Sequence, residues 1–168
     1  MKVAIMVIVL FTGSKLFAQD FSNISIKLNQ IETLPCSYIK DENSGRKFYD
    51  KAFDFILSQD TFAIPSLINL LTDTSVSKVK KTGTNYYYKK GDLAFILINY
   101  IEWVPFALIT HSQWCICCDC GNLPMGFLQY VDRNRFEFQR NYQSYFVSEE
   151  RRKMIKEIAK GKKKKRSR

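Results

Sequence analysis

Apolar and polar positions along this chain alternate at helical spacing over most of its length. Phe48, Ala52, Phe55 and Ile56 recur so as to predict a helix from Lys47 to about Leu57. Ser58-Gln59-Asp60 links it to a second helix, where Ile64, Leu67, Ile68 and Leu71 fall at i, i+3, i+4 and i+7. Asp60 or Thr61 is placed to cap that helix, Pro65 suits its first turn, and Thr72-Asp73-Thr74 ends it. The short link predicts an antiparallel helical hairpin. Asp92 then stands before a third helix, Leu93 to about Trp103, which is apolar on nearly every face and so belongs at the centre of the core. Pro105 stops it, and Ala107 to Cys120 has no clean period.

Three further helices follow. Pro124 opens one with Phe127, Leu128 and Val131 on a face. Arg135 to Phe146 forms another, with Phe138, Tyr142 and Tyr145 or Phe146 in register. Ser148-Glu149-Glu150 starts the last, which carries Met154, Ile155 and Ile158 and ends at Lys160-Gly161. Ile24, Ile26 and Leu28 instead alternate, which suits a short N-terminal strand or extended arm. Lys40 to Arg46 reads as a loop and Ser75 to Lys90 as a polar connection. The expected fold is mainly α: five or six packed helices with helical hairpins, a short N-terminal strand and a disordered basic C-terminal tail.

Residues 1–19 read as a secretory signal peptide. Lys2 precedes the apolar run Val3–Phe11, small and polar residues break it, and Ala18 offers a cut site. Nine apolar residues fall short of the roughly 20 that a transmembrane helix needs. The expected organisation is signal peptide 1–19, a single helical domain 20–160 and a disordered tail 161–168, in a protein exported to the periplasm or beyond the cell. No second apolar run reads as a span, so no transmembrane segment is expected in the mature chain.

Charge sharpens this division. The formal net charge is +10, yet Arg151–Arg168 holds eleven of the 26 Lys and Arg residues and one acid, Glu157. The stretch from Asp20 to Glu150 is close to neutral, with 13 basic and 15 acidic residues. Charge gathered at one terminus marks a tail rather than a nucleic-acid-binding face. Lys162, Lys163, Lys164, Lys165, Arg166 and Arg168 are the candidate polyanion-binding residues, with anionic lipid, polysaccharide or another envelope polymer as partner and no specific nucleic acid. The same residues would also serve as a solvated, solubilising tail. Tyr86-Tyr87-Tyr88 beside Lys89-Lys90 could stack on sugars or bases, with core or strand packing the expected use.

The remaining chemistry is a cysteine cluster. Cys115, Cys117, Cys118 and Cys120 form two interleaved C-x₂-C pairs, with His111 just before them and Cys36 far upstream. Export favours disulfides, within the cluster or to Cys36. Thiolates at this spacing, helped by His111, could instead hold Zn or Cu(I), and part of the set could stay as free thiols. Catalysis is not expected: His111 is the sole histidine, and there is no G-x-S-x-G, no phosphate-cradling glycine loop and no H-E-x-x-H. No cofactor is implied.

Asp60-Thr-Phe-Ala-Ile-Pro-Ser-Leu-Ile-Asn-Leu-Leu-Thr-Asp73 resembles the inner helix of a HEAT-type repeat, and Gly91-Asp92-Leu-Ala-Phe-Ile-Leu resembles the start of the next unit, over 91–103. That resemblance implies stacked helix pairs and protein binding on a concave face. The 18-residue insert from Thr74 to Gly91 departs from the pattern. The leading expectation is an exported, non-enzymatic helical protein that binds another macromolecule. A cysteine-rich soft-metal binder is the alternative, and an exported hydrolase of unfamiliar type ranks third.

Overall fold

The computed structural model describes residues 22–35, 50–81, 84–115, 118–119, 123–124 and 126–166. The expected signal segment 1–19, the loop Lys40–Arg46, Cys36, Cys117, Cys120 and Arg168 lie outside the described residues. The protein is mainly helical, with eight α-helices among the described residues rather than five or six. In chain order they are α1 (22–28), α2 (Lys51–Ser58), α3 (Ile64–Leu70), α4 (Lys90–Ile101), α5 (Phe106–Thr110), α6 (Phe127–Arg133), α7 (Arg135–Val147) and α8 (Glu149–Arg166).

The N-terminal strand is not there; α1 takes its place. Ile24 and Leu28 are buried while Ile26 is half exposed, so the i, i+4 pair rather than the alternation meets the core. Asp50 then ties this segment to α2. Its Oδ1 accepts from the backbone N–H groups of Ala52 and Phe53, both at 3.0 Å, which caps the helix. Its Oδ2 accepts from Glu32 and Thr33 N–H at 3.0 and 3.2 Å. Burial pushes this carboxyl up, but the four N–H donors outweigh it and hold the group below the usual range. The buried face of α2 is Ala52, Phe53 and Ile56, and Phe55 points largely outward.

A 3₁₀ turn, Asp60–Ala63, joins α2 to α3, with Asp60 at φ 51°. Neither Asp60 nor Thr61 caps α3. Helices α2 and α3 both pack on α4, and each also contacts the 3₁₀ turn between them. Ser75–Lys90 is not a plain connection. Val76–Lys80 (β1) and Tyr87–Lys89 (β2) form an antiparallel hairpin with Val76 opposite Lys89 and Lys80 opposite Tyr87, irregular between these pairs. Val79 and Tyr88 are its buried residues, while Tyr86 and Tyr87 face solvent.

The central position expected for the third helix is what α4 occupies: every residue from Gly91 to Ile98 is buried. Asp92 caps it from inside, accepting from Lys89 N–H at 3.0 Å. Gly91 is dictated by close approach. A Cβ there would overlap the Leu71 carbonyl oxygen and come within 2.5 Å of Arg135 Nη1. Phe95, on α4, stacks on Phe127 at 5.0 Å and meets Phe138 edge-on at 5.1 Å. Phe106 and Trp114 close over Phe127 at 4.7 and 4.8 Å. Pro124 lies in a two-residue strand, β4 (Leu123–Pro124), antiparallel to β3 (Cys118–Asp119), and not at a helix start. Gly126, at φ 76°, leads into α6 instead.

The basic tail departs most from expectation. Gly161 does not end α8, whose backbone is helical through Arg166. Lys and Arg are good helix formers, and cations near a helix C-terminus are favoured by its dipole. One Gly costs about 1 kcal/mol against that background. No helix among the described residues is long and apolar enough to cross a membrane.

Candidate functional site

The start of α8 is held to the body by a mostly buried ion pair. Arg151 Nη2 donates to Glu102 Oε2 at 2.7 Å and Nε donates to the same oxygen at 3.1 Å. Both side chains are 12% exposed. Tyr142 Oη donates to Glu102 Oε1 at 2.7 Å, so both carboxylate oxygens are engaged. The guanidinium also lies 4.1 Å from the Phe146 ring centre. Burial, and next the Glu102 carboxylate, drive the Tyr142 phenol far above its usual range and push Tyr145 up to about 12. Tyr145 Oη reaches Met154 Sδ at 3.6 Å, a second tie from α7 to α8.

Beyond this clamp, α8 presents charge. Arg152, Lys153, Lys156 and Lys160 are exposed. Lys162, Lys163, Lys164, Lys165 and Arg166 continue on the same helical backbone. Five of the six expected polyanion-binding residues therefore share one helical backbone, whose first turn is tied to the body through Arg151. Periodicity could not have shown this, because a run without apolar residues has no hydrophobic period.

A second ion cluster locks α4, α6 and α7 together. Arg135 and Asp92, with side chains 4% and 5% exposed, pair at 2.7 Å. Arg135 also donates to Asp132 at 2.9 Å and to the Leu71 carbonyl at 3.1 Å. Lys89 meets Asp132 from the hairpin side. The Lys89 hydrogen bond first, and Arg135 after it, hold the Asp132 carboxyl below the usual range against partial desolvation. Every charge here is answered, so this cluster reads as architecture.

Of the five cysteines, Cys36, Cys117 and Cys120, and with them the pairings expected of them, lie outside the described residues. Cys115 is a free, exposed thiol. Cys118 lies in β3, opposite Pro124. His111 is exposed at φ 52°, just after α5. It borders an open cleft of about 340 Å³ with Asn141, Ser144, Tyr145 and Glu150. No group of three His, Cys, Asp or Glu side chains gathers in metal-binding proximity among the described residues.

Sequence reasoning missed the exposed aromatic beside α8. Phe62, on the 3₁₀ turn, is 88% exposed. It borders a groove of about 480 Å³ shared with Pro65, Phe146, Arg151 and Ile155. The only hint in the sequence was that Phe62 falls outside the i, i+3, i+4, i+7 series of the second helix.

Comparison with protein-family models, with curated proteins and with solved structures finds no match to this chain. The HEAT-type resemblance of residues 60–73 and 91–103 thus rests on those residues alone.

Proposed function

We propose that this is an exported, non-catalytic binding protein whose C-terminal helix engages a polyanionic macromolecule of the cell envelope or exterior. The observation that carries this reading is the segregation of charge onto α8. Arg151–Arg168 has a net charge of +10, while the body from Asp20 to Glu150 is near neutral at −2. A polyanion meeting such a molecule is drawn to one end of it, through counterion release and surface potential. The Arg151–Glu102 clamp gives that end a fixed base, which limits the entropy lost when a partner binds. Export by the segment 1–19 is part of the proposal and places the helix among anionic envelope polymers and lipid.

The test is deletion of Lys162–Arg168, with retention on heparin measured over a salt series. The full chain should be retained with a steep salt dependence, and the deletion should elute much earlier. Its melting temperature should stay nearly unchanged, because the deleted segment has no apolar residue to bury. Equal retention of both forms would show that the tail serves solubility alone.

A further inference from the structure

The apolar residues of α8 divide into two groups. Met154 is partly buried and tied to Tyr145. Ile155 and Ile158 stay exposed at 41% and 40%, although they lie three residues apart on a helix that is anchored to the core. Phe62, exposed at 88%, borders the same groove as Ile155. Arg152, Lys153, Lys156 and Lys160 stand exposed on the same helix. A soluble polyanion would answer the cations and leave these three hydrocarbon side chains in water. An anionic bilayer answers both, since its headgroups carry the negative charge and the acyl boundary below accepts the apolar tips.

We infer that α8 and Phe62 form a docking face for an anionic lipid bilayer, with the helix lying in the headgroup plane and Ile155, Ile158 and Phe62 entering the acyl boundary. This rests on the polyanion reading for its charge and adds the class of partner. Charge complementarity selects the occupant. The near-neutral body is not drawn to such a surface, so attraction falls on α8 and turns that end toward the lipid. The contact is peripheral, and both components are needed: cations to accumulate the protein at the surface, apolar side chains to hold it there.

The experiment is co-sedimentation of the chain with vesicles of phosphatidylcholine alone and of phosphatidylcholine mixed with phosphatidylglycerol, run beside heparin retention. The expected result is binding to the mixed vesicles only. Ile155→Ser with Ile158→Ser should lower vesicle affinity about tenfold, by the apolar area still exposed on the two side chains, and leave heparin retention unchanged. Circular dichroism checks that the variant folds. Phe62→Ser, on a separate element, should also weaken vesicle binding and decides the matter if the double variant does not fold. Wild-type protein retained on heparin but not sedimenting with mixed vesicles would overturn the lipid assignment while leaving the polyanion reading in place. So would apolar-to-Ser variants that bind vesicles as wild type does. Loss of heparin retention in the wild type would instead remove the polyanion reading itself.

Discussion

Replacing Arg151 by Met tests whether the base of α8 is part of the folded core. Arg151→Met keeps a side chain of comparable reach and removes the guanidinium. Glu102 then loses hydrogen bonds of 2.7 and 3.1 Å and retains only Tyr142 Oη at 2.7 Å. An exposed ion pair contributes about 0–1 kcal/mol, and breaking a fully buried one costs about 3–5 kcal/mol. At 12% exposure for both partners the pair lies nearer the buried limit. Some water still reaches the carboxylate, and Tyr142 still donates to it. Loss of the contact with the Phe146 ring adds up to about 1 kcal/mol. The sum is about 2–3 kcal/mol, equivalent to a fall in Tm of roughly 5–10 °C for a chain of this size. Urea denaturation at neutral pH measures it directly. Pairing the change with Glu102→Gln in a double-mutant cycle should return a coupling of about 1–2 kcal/mol. A destabilisation below about 0.5 kcal/mol, in the range of ordinary surface changes, would mean that the clamp does not anchor α8.

Phe95→Ala and Leu67→Ala should each destabilise by about 2–5 kcal/mol in denaturant melts, since both side chains are wholly buried and Phe95 touches three other rings; values near zero would misplace the core. Gly91→Ala should be among the most damaging single-methyl additions, at about 2 kcal/mol or more, because the new Cβ meets a backbone carbonyl and the paired Arg135 rather than a free side chain. Its melt should stand well below that of an Ala substitution at exposed Gln143. Stability should fall steeply with pH from about 10 upward. Tyr100, Tyr130, Tyr142 and Tyr145 all have phenols raised above their ordinary value, with Tyr145 at about 12. Across that window the unfolded chain releases protons that the folded chain keeps, so Tyr142 and Tyr145, the two with large shifts, each contribute a slope approaching about −1.4 kcal/mol per pH unit, and Tyr100 and Tyr130 add to it in the same direction. A pH-independent urea midpoint between pH 9 and about 11 would contradict the burial of these hydroxyls.

The sequence by itself determined the central helix, because eight consecutive buried positions leave no polar face to present to water. It also determined the apolar stripe of Leu67 and Ile68 and the register of Phe138, Tyr142 and Tyr145, where helical spacing and burial agree. Tertiary structure decided what short patterns leave open. Ile24, Ile26 and Leu28 satisfy a period of two and, through the outer pair, a spacing of four; contact with the core selects the helix. The hairpin of β1 and β2 was hidden because only Val79 and Tyr88 bury a side chain, which is too little alternation to register. The anchoring partners lie far apart in the chain, Asp92 from Arg135 and Glu102 from Arg151, and no local period links them. The same holds for the candidate interface. Its charge can be counted along the chain, but the exposure of Ile155, Ile158 and Phe62 depends on which helix faces the packed core has already used.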